Sequence, residues 1–197
     1  MRKPKLLLAT NNRAKVREYT KLLQGIPYQI VSLDDVNISE QVEETGASFE
    51  ENAVLKAKWY SEKSGLITMA DDSGLEVDAL GGEPGVHSAR YAGKGASDKE
   101  RINFLLNKLV EVPWEKRQAK FRCVIAIAYP NCKVQVCQGQ CDGILTFKPL
   151  GHNGFGYDPI FYLPHLNKTM AELSISEKNA LSHRGKAAVE ARKMLQQ

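Results

Sequence analysis

Two adjacent carboxylates, Asp71 and Asp72, close the apolar run from Ile67 to Ala70 and precede Ser73 and Gly74. A second acidic pair, Glu43 and Glu44, lies in Val-Glu-Glu-Thr-Gly. Such carboxylates suit magnesium, a hard cation that takes oxygen ligands and usually shares them with substrate phosphates. Neighbouring side chains on a strand point to opposite faces, so Asp71 and Asp72 cannot share one role and only one faces a site. Asp-Ser-Gly is equally the composition of a polar turn.

Three further groups carry usable chemistry. Thr10-Asn11-Asn12-Arg13-Ala14-Lys15 joins an apolar run to a stretch of helical spacing. A strand-to-helix turn offers backbone N–H groups and the positive end of a helix dipole, and Lys15 adds a mobile cation, a combination that suits a triphosphate. The glycine spacing of a P-loop is absent, and an Asn-capped helix with a solvated lysine fits the same residues. Gly151-His152-Asn153-Gly154-Phe155-Gly156-Tyr157-Asp158-Pro159 lets backbone approach a ligand closely, with Phe155 and Tyr157 as stacking surface for a base or as plugs of the core. Lys178 and Ser182-His183-Arg184-Gly185 supply donors able to read carbonyl oxygens on a purine edge. A serine-hydrolase triad is disfavoured, because Ser182 and His183 are sequence neighbours and no Gly-x-Ser-x-Gly elbow exists.

The elements that must position these groups are legible from periodicity. Lys5 to Thr10 and Tyr28 to Leu33 predict strands, and Val16, Tyr19, Leu22 and Leu23 a helix between them. Strand, helix, strand implies an α/β fold. Ser/Thr-x-x-Glu capping boxes occur at Ser48, Ser97, Thr169 and Ser174. The first opens a helix from Phe49 to near Gly65. The second opens one carrying Ile102, Leu105, Leu106 and Leu109. Ile67 to Asp72 and Cys123 to Tyr129 predict strands, Pro130-Asn131 a turn, and Val134 and Val136 a returning strand. Ala187, Ala188, Ala191, Met194 and Leu195 line one face of a last helix.

At 197 residues, with 43% hydrophobic and 25% charged side chains, the chain has the length and balance of a single domain spanning 1–197. A net charge of +4 fits an anionic ligand or an ordinary mixed surface. Aromatics do not interleave with the basic residues as a single-strand groove requires, so no stable nucleic-acid partner is expected. No apolar run approaches the roughly 20 residues of a membrane span. The basic start Met1-Arg2-Lys3-Pro4-Lys5 is followed by only Leu6 to Ala9, too short for a secretory core, which points to the cytoplasm. Cys123, Cys132, Cys137 and Cys141 contain no Cys-x-x-Cys pair and are expected as reduced thiols.

Taken in order, these motifs resemble the inosine/xanthosine triphosphate pyrophosphatase family. The landmarks are Thr10-x-Asn12-x-x-Lys15, Glu43-Glu44-Thr45-Gly46, Phe49-x-x-Asn52-Ala53, Ala70-Asp71-Asp72-Ser73-Gly74-Leu75, Ser88-Ala89-Arg90-Tyr91, Gly154 to Pro159, and Ser182-His183-Arg184-Gly185. Position 87 is His where an aromatic is usual, and position 153 is Asn where Gly is usual. The resemblance implies an elongated mixed sheet with flanking helices, two lobes around a central cleft, and a homodimer. It also implies magnesium-dependent hydrolysis of non-standard purine triphosphates to monophosphate and pyrophosphate. By the same resemblance Asp72 and Lys15 are catalytic, with Asp72 as proton acceptor, and Glu43 and Asp72 hold Mg2+. The substrate contacts are Thr10, Asn11, Asn12, Arg13, Ala14, Lys15, Ser73, Phe155, Gly156, Tyr157, Asp158, Lys178, His183 and Arg184. Two alternatives stand beside this: a pyrophosphatase for other modified nucleotides, and a nucleotide- or RNA-binding module without catalysis. Carboxylates facing phosphate would gain a pure anion-binding module little.

Overall fold

Three consecutive leucines make Lys5–Leu8 (β1) a strand buried on both faces, the pattern of a strand inside a parallel sheet. It pairs in parallel with Gln29–Ser32 (β2) and with Ile67–Val77 (β3), Leu7 standing opposite Val31 on one side and Thr68 on the other. Parallel neighbours need crossovers. Arg13–Leu22 (α1) supplies the first and Phe49–Ser64 (α2) the second. The structure is a computed structural model describing residues 3–196; Met1 and Arg2, which begin the basic N-terminal stretch, and Gln197 lie outside the described residues.

The remaining elements are the helix Asp98–Lys108 (α3), the long strands Gln118–Ala128 (β4) and Val134–Leu145 (β5), the short strands Phe161–Leu163 (β6) and Lys168–Thr169 (β7), and the helices Ile175–Leu181 (α4) and His183–Leu195 (α5). The seven strands form one sheet in the order β2-β1-β3-β4-β5-β6-β7, with β6 antiparallel to both β5 and β7. The α/β architecture is therefore a mixed sheet with flanking helices, as expected.

Local chemistry sets the helix boundaries. Ser48 caps α2 by accepting from the Glu51 N–H, and Gly65 ends it in the left-handed region at φ +67°. Complete capping boxes stand at Ser97, Thr169 and Ser174, the Thr169 box opening only a short 3-10 turn.

The chain divides into two compact units. One comprises the described residues up to Asp72, with Cys123–Gly139 and the chain from Arg184 onward. Its core gathers Leu6, Leu8, Tyr19, Leu23, Met69, Ile125, Ile127, Ala187, Ala188 and Ala191. The other comprises Ser73–Arg122 and Gln140–His183, with a core of Leu75, Val77, Ile102, Leu105, Phe121, Leu145, Tyr157, Phe161 and Met170.

Expectation and structure differ along β3. The strand does not stop at Asp72 but continues to Val77, so Asp-Ser-Gly lies within a strand and not in a turn. Leu75 and Val77 are fully buried, and the Leu75 N–H donates to Ser88 Oγ at 2.9 Å. Burial of these residues overrides the turn preference of their sequence. All four cysteines are free thiols; Cys123, Cys137 and Cys141 are buried and Cys132 is exposed. No helix among the described residues is long and apolar enough to cross a membrane.

Candidate active site

The chain leaves β1 and enters α1 through Thr10 to Lys15. Asn12 is the N-cap: its Oδ1 accepts from the backbone N–H of Ala14 at 2.9 Å and of Lys15 at 3.2 Å. Thr10 Oγ1 in turn accepts from the Asn12 N–H at 3.2 Å. Two first-turn donors are thus committed to Asn12, and the first turn holds no acidic side chain to oppose an incoming anion. Asn11, Asn12 and Arg13 are exposed, while Thr10, Ala14 and Lys15 are partly covered.

Lys15 is not a loose cation. Its ammonium lies 2.8 Å from Asp71 Oδ2, and the Arg184 guanidinium stands 3.8 Å from the same oxygen. Arg184 also donates to Glu18 Oε2 at 2.7 Å. Burial disfavours charge on Asp71, yet Lys15 and Arg184 outweigh it and hold its carboxyl well below the usual carboxylate range. Asp71 is therefore the buried counter-ion of two cations, and its Oδ1 has no hydrogen-bond partner among the described residues.

Asp72 has different neighbours, as strand alternation requires. Asn52 Nδ2 donates to its Oδ2 at 3.1 Å, and the Lys56 ammonium lies 3.7 Å from its Oδ1. Lys56 also pairs with Glu44 at 2.5 Å. Burial, reinforced by Glu44, pushes the Asp72 carboxyl above the ordinary range despite Lys56. For Lys56 burial works against the charge, and Asp72, Asp71 and Glu44 together more than restore it. The acidic loop thus offers Glu44 to this group, whereas Glu43 is exposed.

The second unit holds the expected nucleoside residues other than Arg184, which belongs to the first. Asp158 Oδ2 accepts from the Phe155 N–H at 2.8 Å and from the Lys178 ammonium at 2.6 Å. Lys178 also sits 4.8 Å from the centre of the half-buried Phe155 ring. The Gly156 N–H donates to Asp98 Oδ2 at 2.7 Å, and Tyr157 donates its hydroxyl to the Ser88 carbonyl at 3.0 Å. Of the two candidate stacking aromatics, Phe155 is partly exposed and Tyr157 is buried. Tyr157 is 4% exposed and belongs to the core, because its ring packs among apolar side chains and its hydroxyl finds a buried acceptor. His183 is buried and stacks on Phe121 at 4.7 Å. Ser73, half-buried, follows Asp72 along β3.

Gly154, like Gly151, is a position where this loop requires glycine. Its φ of +77° is left-handed, and an added Cβ would overlap Asp158 Oδ2 and come within 3.1 Å of Lys178 Nζ. Gly156 has φ +63° but open space around it. Gly154→Ala is therefore expected to lower Tm at least twice as much as Gly156→Ala, which carries only backbone strain of roughly 1–2 kcal/mol. Thermal melts of both variants check this; equal losses would mean that the Asp158–Lys178 pair yields freely to the new methyl.

The profile of the Ham1 family matches residues 6–194, a span that runs through both units. The chain belongs to the Ham1 family. Among its Ham1-family relatives, a dITP/XTP pyrophosphatase from Desulforamulus reducens is 48% identical over 191 residues, covering 97% of this chain and 95% of the relative. A dITP/XTP pyrophosphatase from Bacillus cereus is 49% identical over 184 residues, covering 92% and 90%. A HAM1 protein from Coxiella burnetii superposes with a TM-score of 0.89 at 42% identity, covering 98% of each chain. The Ham1 protein of Staphylococcus aureus gives a TM-score of 0.87, also at 42%, covering 97% of each.

Two residues of this Ham1-family site escaped the sequence reading. No motif singles out Lys56, and Asn52 appears only as a landmark. Their spacing of four residues places them on one helix face, but nothing in the sequence says that this face meets Asp72.

Proposed function

We infer that this Ham1-family chain hydrolyses non-standard purine nucleoside triphosphates, dITP, ITP and XTP, to the nucleoside monophosphate and pyrophosphate. The observation that carries the reading is the convergence of Asp72, Glu44 and Lys56, with Lys15 held on Asp71, in a chain close to half identical to dITP/XTP pyrophosphatases. Breaking the anhydride between the α and β phosphates needs a water, an acceptor for its proton, and cations against the phosphate charge. Asp72, a buried carboxylate beside Lys56, is the acceptor for that proton. Lys15 faces the triphosphate charge from the start of α1. Thr10, Asn11 and Asn12 supply neutral polar groups and α1 its dipole beside it.

The donor set suits a divalent cation, and we assign magnesium. Among the described residues no group of three or more His, Cys, Asp or Glu side chains forms a protein-only cage. Magnesium needs none, since one or two carboxylates plus substrate phosphates complete its shell. Asp72 is one ligand, and the second is Glu43, as the family resemblance suggests, or Glu44, which shares Lys56 with Asp72. When bound, the ion would offset phosphate charge and orient the attacking water. In the second unit Phe155 offers a stacking face, and Asp158 and Lys178 hold polar groups beside it. Localisation in the cytoplasm and assembly as a homodimer complete the reading; sedimentation of the purified chain tests the latter.

Pyrophosphate release with magnesium, measured on dITP, ITP, XTP, a modified pyrimidine triphosphate, dGTP and ATP, tests the whole. Turnover of the first three well above the last two is expected. Release from none would leave a nucleotide-binding module, and preference for a modified pyrimidine would move the substrate class. Lys15→Ala is expected to lower kcat on the order of tenfold or more while KM rises less, because the ammonium opposes charge that grows in the transition state. A rise in KM alone would make Lys15 a uniform binding contact.

A further inference from the structure

α2 presents Asn52 one turn before Lys56, and the Asn52 side chain is wholly buried. Both ends of its amide are used. The Gly46 N–H donates to Oδ1 at 2.8 Å, and Nδ2 donates to Asp72 Oδ2 at 3.1 Å. Chemistry decides which end is which. A backbone N–H can only donate, so the amide oxygen faces Gly46, and the nitrogen is left for a carboxylate that can only accept when ionised. A flipped amide would oppose donor to donor at one end and acceptor to acceptor at the other. The fit at Gly46 is close: an added Cβ there would come within 2.7 Å of both Asn52 Oδ1 and Glu51 Cβ.

One buried amide therefore ties the acidic loop of Glu43 and Glu44 to Asp72, which lies 20 residues beyond Asn52 in the chain. Asn52 engages Oδ2 of Asp72, and Oδ1 is the oxygen that lies 3.7 Å from Lys56. We propose that Asn52 is a positioning residue of the hydrolytic reaction, orienting the Asp72 carboxylate and holding the Glu43–Gly46 loop in register against it. The proposal rests on the reading of Asp72 given above.

The test compares Asn52→Asp, Asn52→Ala, Asp72→Asn and the double variant Asn52→Asp/Asp72→Asn with the wild-type chain. Asn52→Asp keeps the shape and can still accept from Gly46 but cannot donate to Asp72. It is expected to lose kcat by about tenfold to a hundredfold, the scale of a hydrogen bond to a charged group, with KM for dITP within about twofold. Its Tm falls, because two carboxylates now meet. In the double variant the new amide at position 72 donates to the new carboxylate at position 52, and at least half of that Tm loss returns while activity does not. If Asn52→Asp does not fold, Asn52→Ala carries the kinetic reading with the same expectation.

A folded position-52 variant with unchanged kcat overturns the proposal. So does a double variant whose Tm shows no recovery, since the hydrogen bond would then not be as placed. A wild-type chain that releases no pyrophosphate from dITP overturns the reaction itself and this proposal with it. The Tm comparison separates that case from a misplaced amide, because it reads the geometry without any turnover.

Discussion

Asp72→Asn is expected to remain folded, with a Tm equal to or above that of the wild-type chain, and to lose kcat by a hundredfold or more. The two halves of this result have one cause. Burial already penalises the Asp72 charge, and the pull of Lys56 only partly offsets it. A neutral amide at position 72 still accepts from Asn52 Nδ2 through its oxygen, so the hydrogen bond at 3.1 Å survives. Lys56 keeps Glu44 as its partner. Folding therefore loses little and gains relief from a desolvated charge, the usual relation between stability and a functional polar group. Activity loses a proton acceptor, worth about 10²–10⁴ in rate, together with one anionic metal ligand. Pyrophosphate release from dITP and XTP, with thermal melts of the same preparations, measures both. Near-normal turnover in the folded variant would remove Asp72 from the mechanism, and a large Tm loss would show that its charge supports the fold.

Asp71→Asn should do the opposite, costing stability first. Lys15 at 2.8 Å and Arg184 at 3.8 Å both depend on this buried carboxylate. Removing one partner from a buried ion cluster leaves uncompensated charge and costs about 3–5 kcal/mol. Glu18 still holds Arg184, so the lower end of that range applies. The effect carries a pH dependence of definite sign. Lys15 and Arg184, acting against burial, hold the Asp71 carboxyl below its unfolded value of about 4. Its contribution to stability is therefore complete above about pH 4 and is lost as pH falls toward the depressed folded value. Asp72, raised by burial, acts with the opposite sign in acid. Urea denaturation between pH 7 and 2.5 should show the wild type losing stability below about pH 4. Asp71→Asn should start lower and fall less steeply. Equal stability of the two proteins at pH 7 would mean that the cluster contributes nothing net. Activity of Asp71→Asn should fall as well, because Lys15 loses the anchor that places its ammonium.

Much of this protein was already decided by its amino-acid sequence, wherever the cause acts within one or two turns of chain. Asn12 caps α1, Ser48 opens α2, Gly65 closes it and Ser97 opens α3 because each acts on backbone groups a few residues away. Strand alternation alone required Asp71 and Asp72 to serve different partners, and they do. The ordered motifs sufficed to point to the family. Tertiary structure decided what depends on elements meeting across long stretches of chain. Packing of the Asn52–Lys56 face of α2 against Asp72 brings Glu44, and not Glu43, beside Lys56. No local pattern distinguishes two adjacent glutamates in an extended loop. Tyr157 was as plausible a stacking face as Phe155 until the Ser88 carbonyl, 69 residues away in sequence, accepted its hydroxyl. The Asp-Ser-Gly stretch became the middle of β3 because Leu75 and Val77 are drawn into a core whose other members lie far along the chain. Caps and periodicity are short-range consequences of backbone geometry, whereas the choice of partner for a buried polar group is settled only when packing removes water from around it.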